Sequence, residues 1–334
     1  MKKLMMIAAA LTAGMAVGAK DFEGSWGVTI PADFDDIGEK VVHLIVTKDA
    51  AGKYEGLMLW RWGSPEKVKD LKVADGKFSL KHPYGPTVEG EWEGDDLYLH
   101  YTCMVNGKLK DSREILKGSR GLKGHRNPPV PAERIDTRAA KLGEPIDLLK
   151  DGLAGWEKIP GKGRSCWSFK DGTLSNDVGL DEKGQWKGGG LNLRTKRADF
   201  TDFNLEYDVR VATNSNSGVY LRGRYEIQTV DSFDRSKRKV KKPDCHDMAA
   251  YYGRVAPSTA AERKPGEWQH VNVTLYKGHL TVWLNGVNII RNAPVTGITG
   301  GALDAEEGKP GPIYVQGDHS NADYRNMVLR PVAD

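Results

Sequence analysis

Val271-Asn272-Val273-Thr274-Leu275-Tyr276-Lys277-Gly278-His279-Leu280-Thr281-Val282-Trp283-Leu284-Asn285-Gly286 is the stretch that decides the fold class. Apolar residues occupy alternate positions on both sides of Lys277-Gly278, which reads as two strands and a tight turn. A strand places alternate side chains on opposite faces, so each arm has one face to bury.

The same period continues outward. Leu191–Thr195, Asn204–Val211 and Tyr324–Arg330 alternate in the same way, and no long helical period interrupts them. Many short strands with one apolar face each imply two sheets around a shared interior. Towards the N-terminus, residues 20–124 carry shorter strands: 22–28, 41–46, 53–60, 77–80, 88–92, 96–101 and a closing one at 114–118. Ala51-Gly52, Asp75-Gly76 and Gly94-Asp95 punctuate them. This pattern predicts a small β-barrel or meander. Residues 125–142 read as a linker, because Pro128, Pro129 and Pro131 block regular structure; a short helix is expected around 132–141. The predicted class is all-β, a sandwich over 143–334 behind a small barrel.

Lys2 and Lys3 precede an uncharged apolar run from Leu4 to Val17, and Val17-Gly18-Ala19 fits a cleavage site. Residues 1–19 are therefore expected to be a signal peptide, and the mature chain periplasmic or secreted. No later stretch reaches the ~20 apolar residues of a membrane helix. The net charge is +4, near neutral once the two lysines leave, which argues against a nucleic-acid partner. The basic run Arg235–Lys242 reads as a solvated loop. The cysteines Cys103, Cys166 and Cys245 exclude a full disulfide framework; a Cys166–Cys245 bridge and free thiols both remain open.

Chemistry concentrates in two places. If Asn216–Gln228 is extended throughout, Tyr220, Arg222, Arg224, Glu226 and Gln228 share one face, a mixture suited to a polyhydroxylated ligand. The second place is Ile313-Tyr314-Val315-Gln316-Gly317-Asp318-His319-Ser320. A histidine beside an aspartate is a candidate general base or metal ligand, provided it meets Glu226 or Asp231 in space. A phosphate-binding glycine loop and a GxSxG elbow are both missing from the sequence. Glu226 and Asp231 lie five apart and fall on opposite faces of a regular strand, which weakens a two-carboxylate glycosidase.

Several blocks in order resemble the 3-keto-disaccharide hydrolase family over residues 144–332. They are Ile146–Leu149 through Leu153–Trp156, Gly188–Leu191, Asn216–Gly223, Tyr225–Gln228 with Asp231, Ala250–Gly253, Gly266–Gln269, Leu284–Gly286, and Val315–His319 ahead of Tyr324–Asn326. The opening lacks the family's usual Asn-Gly pair, and Gln269 stands for a common Asn. The resemblance implies a concanavalin A-like jelly roll that cleaves glycosides oxidised at C3, as hydrolase or as lyase plus hydration. A 3-oxo group makes the C2 hydrogen acidic, so a base can remove it and the C1 substituent leaves. It further implies His319 and Glu226 as catalytic residues, and one divalent metal ion held by those two. Arg222, Arg224, Gln228, Asp231, Tyr252, Gln316 and Asp318 would contact the sugar, while Trp268 is expected to pack. A non-catalytic carbohydrate-binding sandwich and an envelope scaffold are the competing classes, since fold alone does not settle function. The oligomeric state is open.

Overall fold

Strand Gly24–Ile30 pairs with Lys40–Lys48 on one side and Leu122–Arg126 on the other, and the N-terminal unit grows from this trio. The computed structural model describes residues 21–31, 34–35, 40–117, 119–130, 134–161, 163–236 and 241–333. The signal-peptide reading and Lys237–Val240 of the basic run lie outside the described residues.

The N-terminal sheet runs from Glu66–Lys67 at one edge to Lys69–Ala74 at the other. These two edge strands are consecutive in the chain, and Val68 between them donates its N–H to the Gly56 carbonyl. The sheet therefore curls almost onto itself as a small barrel, which leaves little open edge. Its interior is apolar and aromatic, with Phe22 stacked on Phe78 and Trp92. The closing strand is Leu122–Arg126, not 114–118. Ser112–Ile115 instead form a helical turn, capped by the Asp111 carboxylate accepting from the Arg113 N–H. Leu122–Arg126 also carries the barrel past the expected boundary at 124. Within the linker the described residues show a 3-10 turn at Thr137–Ala139.

The C-terminal unit is a sandwich of an eight-stranded and a five-stranded sheet. Phe203–Val211, Trp268–Tyr276, His279–Leu284 and Ala322–Pro331 lie in the larger sheet. Asn216–Leu221, Tyr225–Val230, Tyr314–Val315, Leu193–Thr195 and Trp156–Lys158 make the smaller one. Side chains such as Leu205, Val209, Val273 and Val282 bury against Val219, Ile227, Leu193 and Val315 in one core. The hairpin expected around Lys277-Gly278 is present. Both residues have positive φ, 47° and 70°, which matches the twist of the flanking strands. Cys103, Cys166 and Cys245 are all free thiols, so the bridge left open by the sequence is not formed.

The two units touch at their glycines. A Cβ on Gly300 would stand 2.6 Å from the Gly63 nitrogen, so barrel and sandwich backbones meet there with no room for a side chain. Nearby, His43 Nε2 of the barrel lies 3.1 Å from Glu307 Oε2 of the sandwich.

Candidate functional site

The stretch 216–228 is a hairpin, not one strand. Arg222 and Gly223 take positive φ, 54° and 70°, and the chain reverses between Leu221 and Tyr225. Directly paired residues of an antiparallel ladder share a face. Tyr220 pairs with Glu226 and Gly218 with Gln228, so Tyr220, Glu226 and Gln228 do lie together, on the face turned away from the core. The two arginines leave that face with the turn. Arg222 donates to the carbonyls of Glu307 and Lys309, and Arg224 pairs with Asp304 at 2.6 Å. Both brace the 304–310 loop and neither lines the cavity described next. Asp231 sits beyond the strand end, where its carboxylate accepts from the N–H groups of Asn214 and Phe233.

A cavity of about 280 Å³ opens over this face. Glu226, Gln228, Tyr252, Gln316, Asp318 and His319 line it, so the two polar clusters nearly a hundred positions apart reach one space. The second cluster is held in place by backbone. Gln316 N–H donates to the Gly218 carbonyl, and the Ser320 hydroxyl donates to the Asn216 carbonyl. Gly189 N–H donates to the Asp318 carbonyl. The Asp318 carboxylate bonds His319 Nδ1 at 2.5 Å, and the imidazole is otherwise half exposed. This pairing orients the ring and sets its tautomer.

Glu226 is 3% exposed. Burial pushes its carboxyl up to about 8; the Asp318 charge adds to this and a hydrogen bond with Tyr220 opposes it. The Tyr220 hydroxyl lies 2.9 Å from Glu226 Oε2 and 2.8 Å from the Gly300 carbonyl oxygen. It has one proton, and the carbonyl can only accept. That proton is shared between Glu226 Oε2 and the Gly300 carbonyl, so the hydroxyl only partly offsets the burial that raises the Glu226 pKa. Gly218 makes the space: a Cβ there would lie 2.3 Å from Glu226 Oε1.

Two acceptor oxygens, Asn216 Oδ1 and Gln316 Oε1, are buried without a hydrogen-bond partner, and both residues line the cavity. Buried polar atoms are normally satisfied, so these await donors such as hydroxyls. Asn216 was visible in the sequence as part of a family block but had no signal for a role. Tyr314, stacked on Tyr220 at 4.1 Å, stood in the second cluster without a role, and Trp62 of the barrel escaped sequence reasoning altogether. Trp268 lies on the larger sheet between Arg210 and Arg325, with their guanidinium carbons 4.8 and 4.0 Å from its ring, and takes no part in the cavity.

Residues 145–330 match the family model of the 3-keto-alpha-glucoside-1,2-lyase-like domain. The chain belongs to this family. A curated relative from Bacteroides thetaiotaomicron, named 3-keto-disaccharide hydrolase, is 25% identical over 158 residues, covering 41% of this chain and 52% of its own length. The chain thus matches about half the length of that relative. Among solved structures, a candidate glycosyl hydrolase from Parabacteroides distasonis is 25% identical, with a TM-score of 0.43 over 61% of this chain and 93% of its own. A carbohydrate-binding module from Bacillus subtilis is 11% identical, with a TM-score of 0.35 over 53% and 95%. The matched segment of the 3-keto-alpha-glucoside-1,2-lyase-like family contains every sandwich residue of the cavity; Trp62 and Gly63 lie outside it.

The divalent ion implied by the resemblance needs several ligand atoms converging on one point. Among the described residues, the one group of three His, Cys, Asp or Glu ligand atoms within 4.8 Å of one another is Asp244-Cys245-His246. Glu226, Asp318 and His319 thus do not all bring their ligand atoms within that distance of one another. These residues do not fit a resident divalent ion, so the chemistry below uses side chains alone.

Proposed function

We propose that this chain is a carbohydrate-active enzyme that cleaves glycosides oxidised at C3 of the sugar, by removal of the C2 proton, elimination and hydration. The observation that carries this reading is the meeting, in one cavity, of a buried carboxyl whose pKa burial raises to about 8 and an Asp-oriented imidazole. Such a pair separates the acid and base roles, and family membership supports a carbohydrate substrate.

His319 Nε2 takes the C2 proton, with the ring held by Asp318. The electron pair left at C2 is delocalised into the 3-oxo group. It then forms the C1–C2 double bond while the C1–O bond breaks, and Glu226 gives its proton to the departing oxygen. In the second half, water adds at C1. The Glu226 carboxylate takes the water proton and His319 returns its proton to C2, which restores both groups and yields the free 3-keto sugar. Protonation of the leaving oxygen by a positioned acid is worth typically 10²–10⁴-fold. The Asn216 and Gln316 carbonyl oxygens, left without partners in the protein, receive sugar hydroxyls, and Gln228 extends the same wall.

The test is incubation of the purified protein with 4-nitrophenyl 3-keto-glucosides of both anomers, with and without a chelator. Chelator-resistant release of nitrophenol is expected, together with its loss in His319→Ala. Binding without release supports a carbohydrate-binding module instead. Chelator-sensitive release restores the metal ion implied by the resemblance.

A further inference from the structure

A second cavity, of about 770 Å³, opens in the barrel beside the first. Trp62, Gly63 and Tyr252 line both, so the two spaces adjoin. The sizes differ usefully. Small-molecule sites span roughly 300–1,000 Å³; the Glu226 cavity falls just below that range and suits one sugar ring, whereas the barrel cleft has room for a larger group.

The walls differ in chemistry as well. Trp62, Tyr84, Met104 and Leu109 line the barrel cleft with 49%, 85%, 39% and 72% of their surface exposed. Large apolar side chains gathered and exposed around one opening mark a binding site. The polar groups there are mostly engaged: Arg61 with Asp35 and Tyr101, Ser64 with His246 at 2.7 Å. Buried His82 accepts the Tyr84 N–H on Nδ1, and its Nε2 makes no hydrogen bond. A second sugar would call for the amides and carboxylates that instead crowd the Glu226 cavity. A flat aromatic group asks for apolar plates and a single polar anchor.

The backbone holds Trp62 at the junction deliberately. Arg61 takes a positive φ of 67° while wholly buried in its ion pair, a conformation rare for a long side chain and one that persists only when its surroundings impose it. The Trp62 N–H donates to the Trp60 carbonyl at 2.8 Å, and Gly63 abuts Gly300.

We propose that the barrel cleft binds the aromatic aglycone of the substrate while the sugar ring occupies the neighbouring Glu226 cavity. The placement of the sugar rests on the function proposed above; the cleft's preference for an aromatic group rests on its own walls.

The test uses the full chain, with Tyr84→Ala and Leu109→Ser, two exposed positions outside the Glu226 cavity. Calorimetry with phenyl and methyl glucosides measures binding without turnover. Release from 4-nitrophenyl and methyl 3-keto-glucosides measures cleavage. The expected result is phenyl over methyl by about tenfold or more in wild type, with that advantage lost in both variants through KM, and methyl substrates unaffected. Equal affinity for phenyl and methyl probes, or variants indistinguishable from wild type, would overturn the proposal. So would a disaccharide that binds more tightly than phenyl glucoside in a Tyr84-dependent way. Tyr84-dependent phenyl binding without any cleavage would sink the proposed reaction and leave the cleft standing. Cleavage without aromatic preference would do the reverse.

Discussion

Tyr220 and Glu226 face each other across the two arms of one hairpin, hydroxyl to carboxyl at 2.9 Å. The contact couples the acid to the barrel junction, because the same hydroxyl reaches the Gly300 carbonyl. Its energetic sense is fixed: a donor favours the charged carboxylate and so opposes burial. Removing it in Tyr220→Phe raises the Glu226 pKa further above about 8. If Glu226 acts as the acid, kcat falls as pH rises through that value. The alkaline limb of the pH–rate profile is expected to move upward in Tyr220→Phe, and a limb that stays put would remove Glu226 from the acid role.

Glu226 also ties stability to pH. Its folded pKa is about 8 against 4.5 for the free side chain, so the folded state holds the proton more tightly. That contribution is fully present below pH ~4.5, declines between the two values, and is gone above about 8. Over the whole interval it is on the order of a few kcal/mol. Glu226→Gln keeps the shape and removes the proton. Urea unfolding at pH 6 and pH 9 is expected to show a much smaller difference in the variant than in wild type, and little activity at either pH.

Gly218 is the spacer that admits this carboxyl. A methyl group there would need the Glu226 side chain to yield from 2.3 Å. Overpacking of this kind costs typically 1–3 kcal/mol. Gly218→Ala is expected to lower stability by about that amount and kcat by at least tenfold, since a shift of about 1 Å in a reacting group costs on the order of 10²-fold. A variant destabilised but fully active would show that the Glu226 position is not critical.

The sequence told more about the sandwich than about its working surface. Alternation located the Val271–Leu284 hairpin and the strand at Asn204, because a half-buried strand prints its face directly. Glu226 and Gln228 were grouped with Tyr220 through a parity argument that assumed one long strand. The grouping survives because three turn residues reverse the chain and return the ladder in register. Arg222 and Arg224 were misplaced for the same reason: they are the turn. Positive φ at Arg222 is a property of long-range packing against the 304–310 loop and leaves no local mark. Glu114–Gly118 looked like a strand from its composition, but the cap at Asp111 started a helical turn first. Trp62 was beyond reach altogether, since only the docking of Gly63 on Gly300 brings it to the cavity.

His319 and Asp318 separate function from stability. The imidazole is half exposed, and substitutions at such positions usually stay within ±0.5 kcal/mol. His319→Ala is expected to unfold like wild type while losing about 10²–10⁴ in kcat. Asp318→Asn keeps the side chain's shape and removes the charge that orients the ring. It should retain more activity than His319→Ala and lose it mainly in kcat. Parallel losses in KM alone would recast both residues as sugar contacts.

Gly300 offers a test of whether the barrel completes the site. Any side chain there meets the Gly63 nitrogen at 2.6 Å and its carbonyl oxygen at 2.8 Å, both backbone atoms that cannot rotate aside. Gly300→Val must therefore push the Trp62–Gly63 turn away from the sandwich. The barrel interior lies elsewhere, and although Val41 and Leu59 of the barrel join the sandwich core, the strand ladders close within each unit and keep their pairing. The expected outcome is loss of most activity with far-UV circular dichroism unchanged, together with a change in tryptophan fluorescence as the half-exposed Trp62 leaves its contact with the sandwich. Fluorescence that changes without any loss of activity would mean that the sandwich works alone and the barrel is only its neighbour.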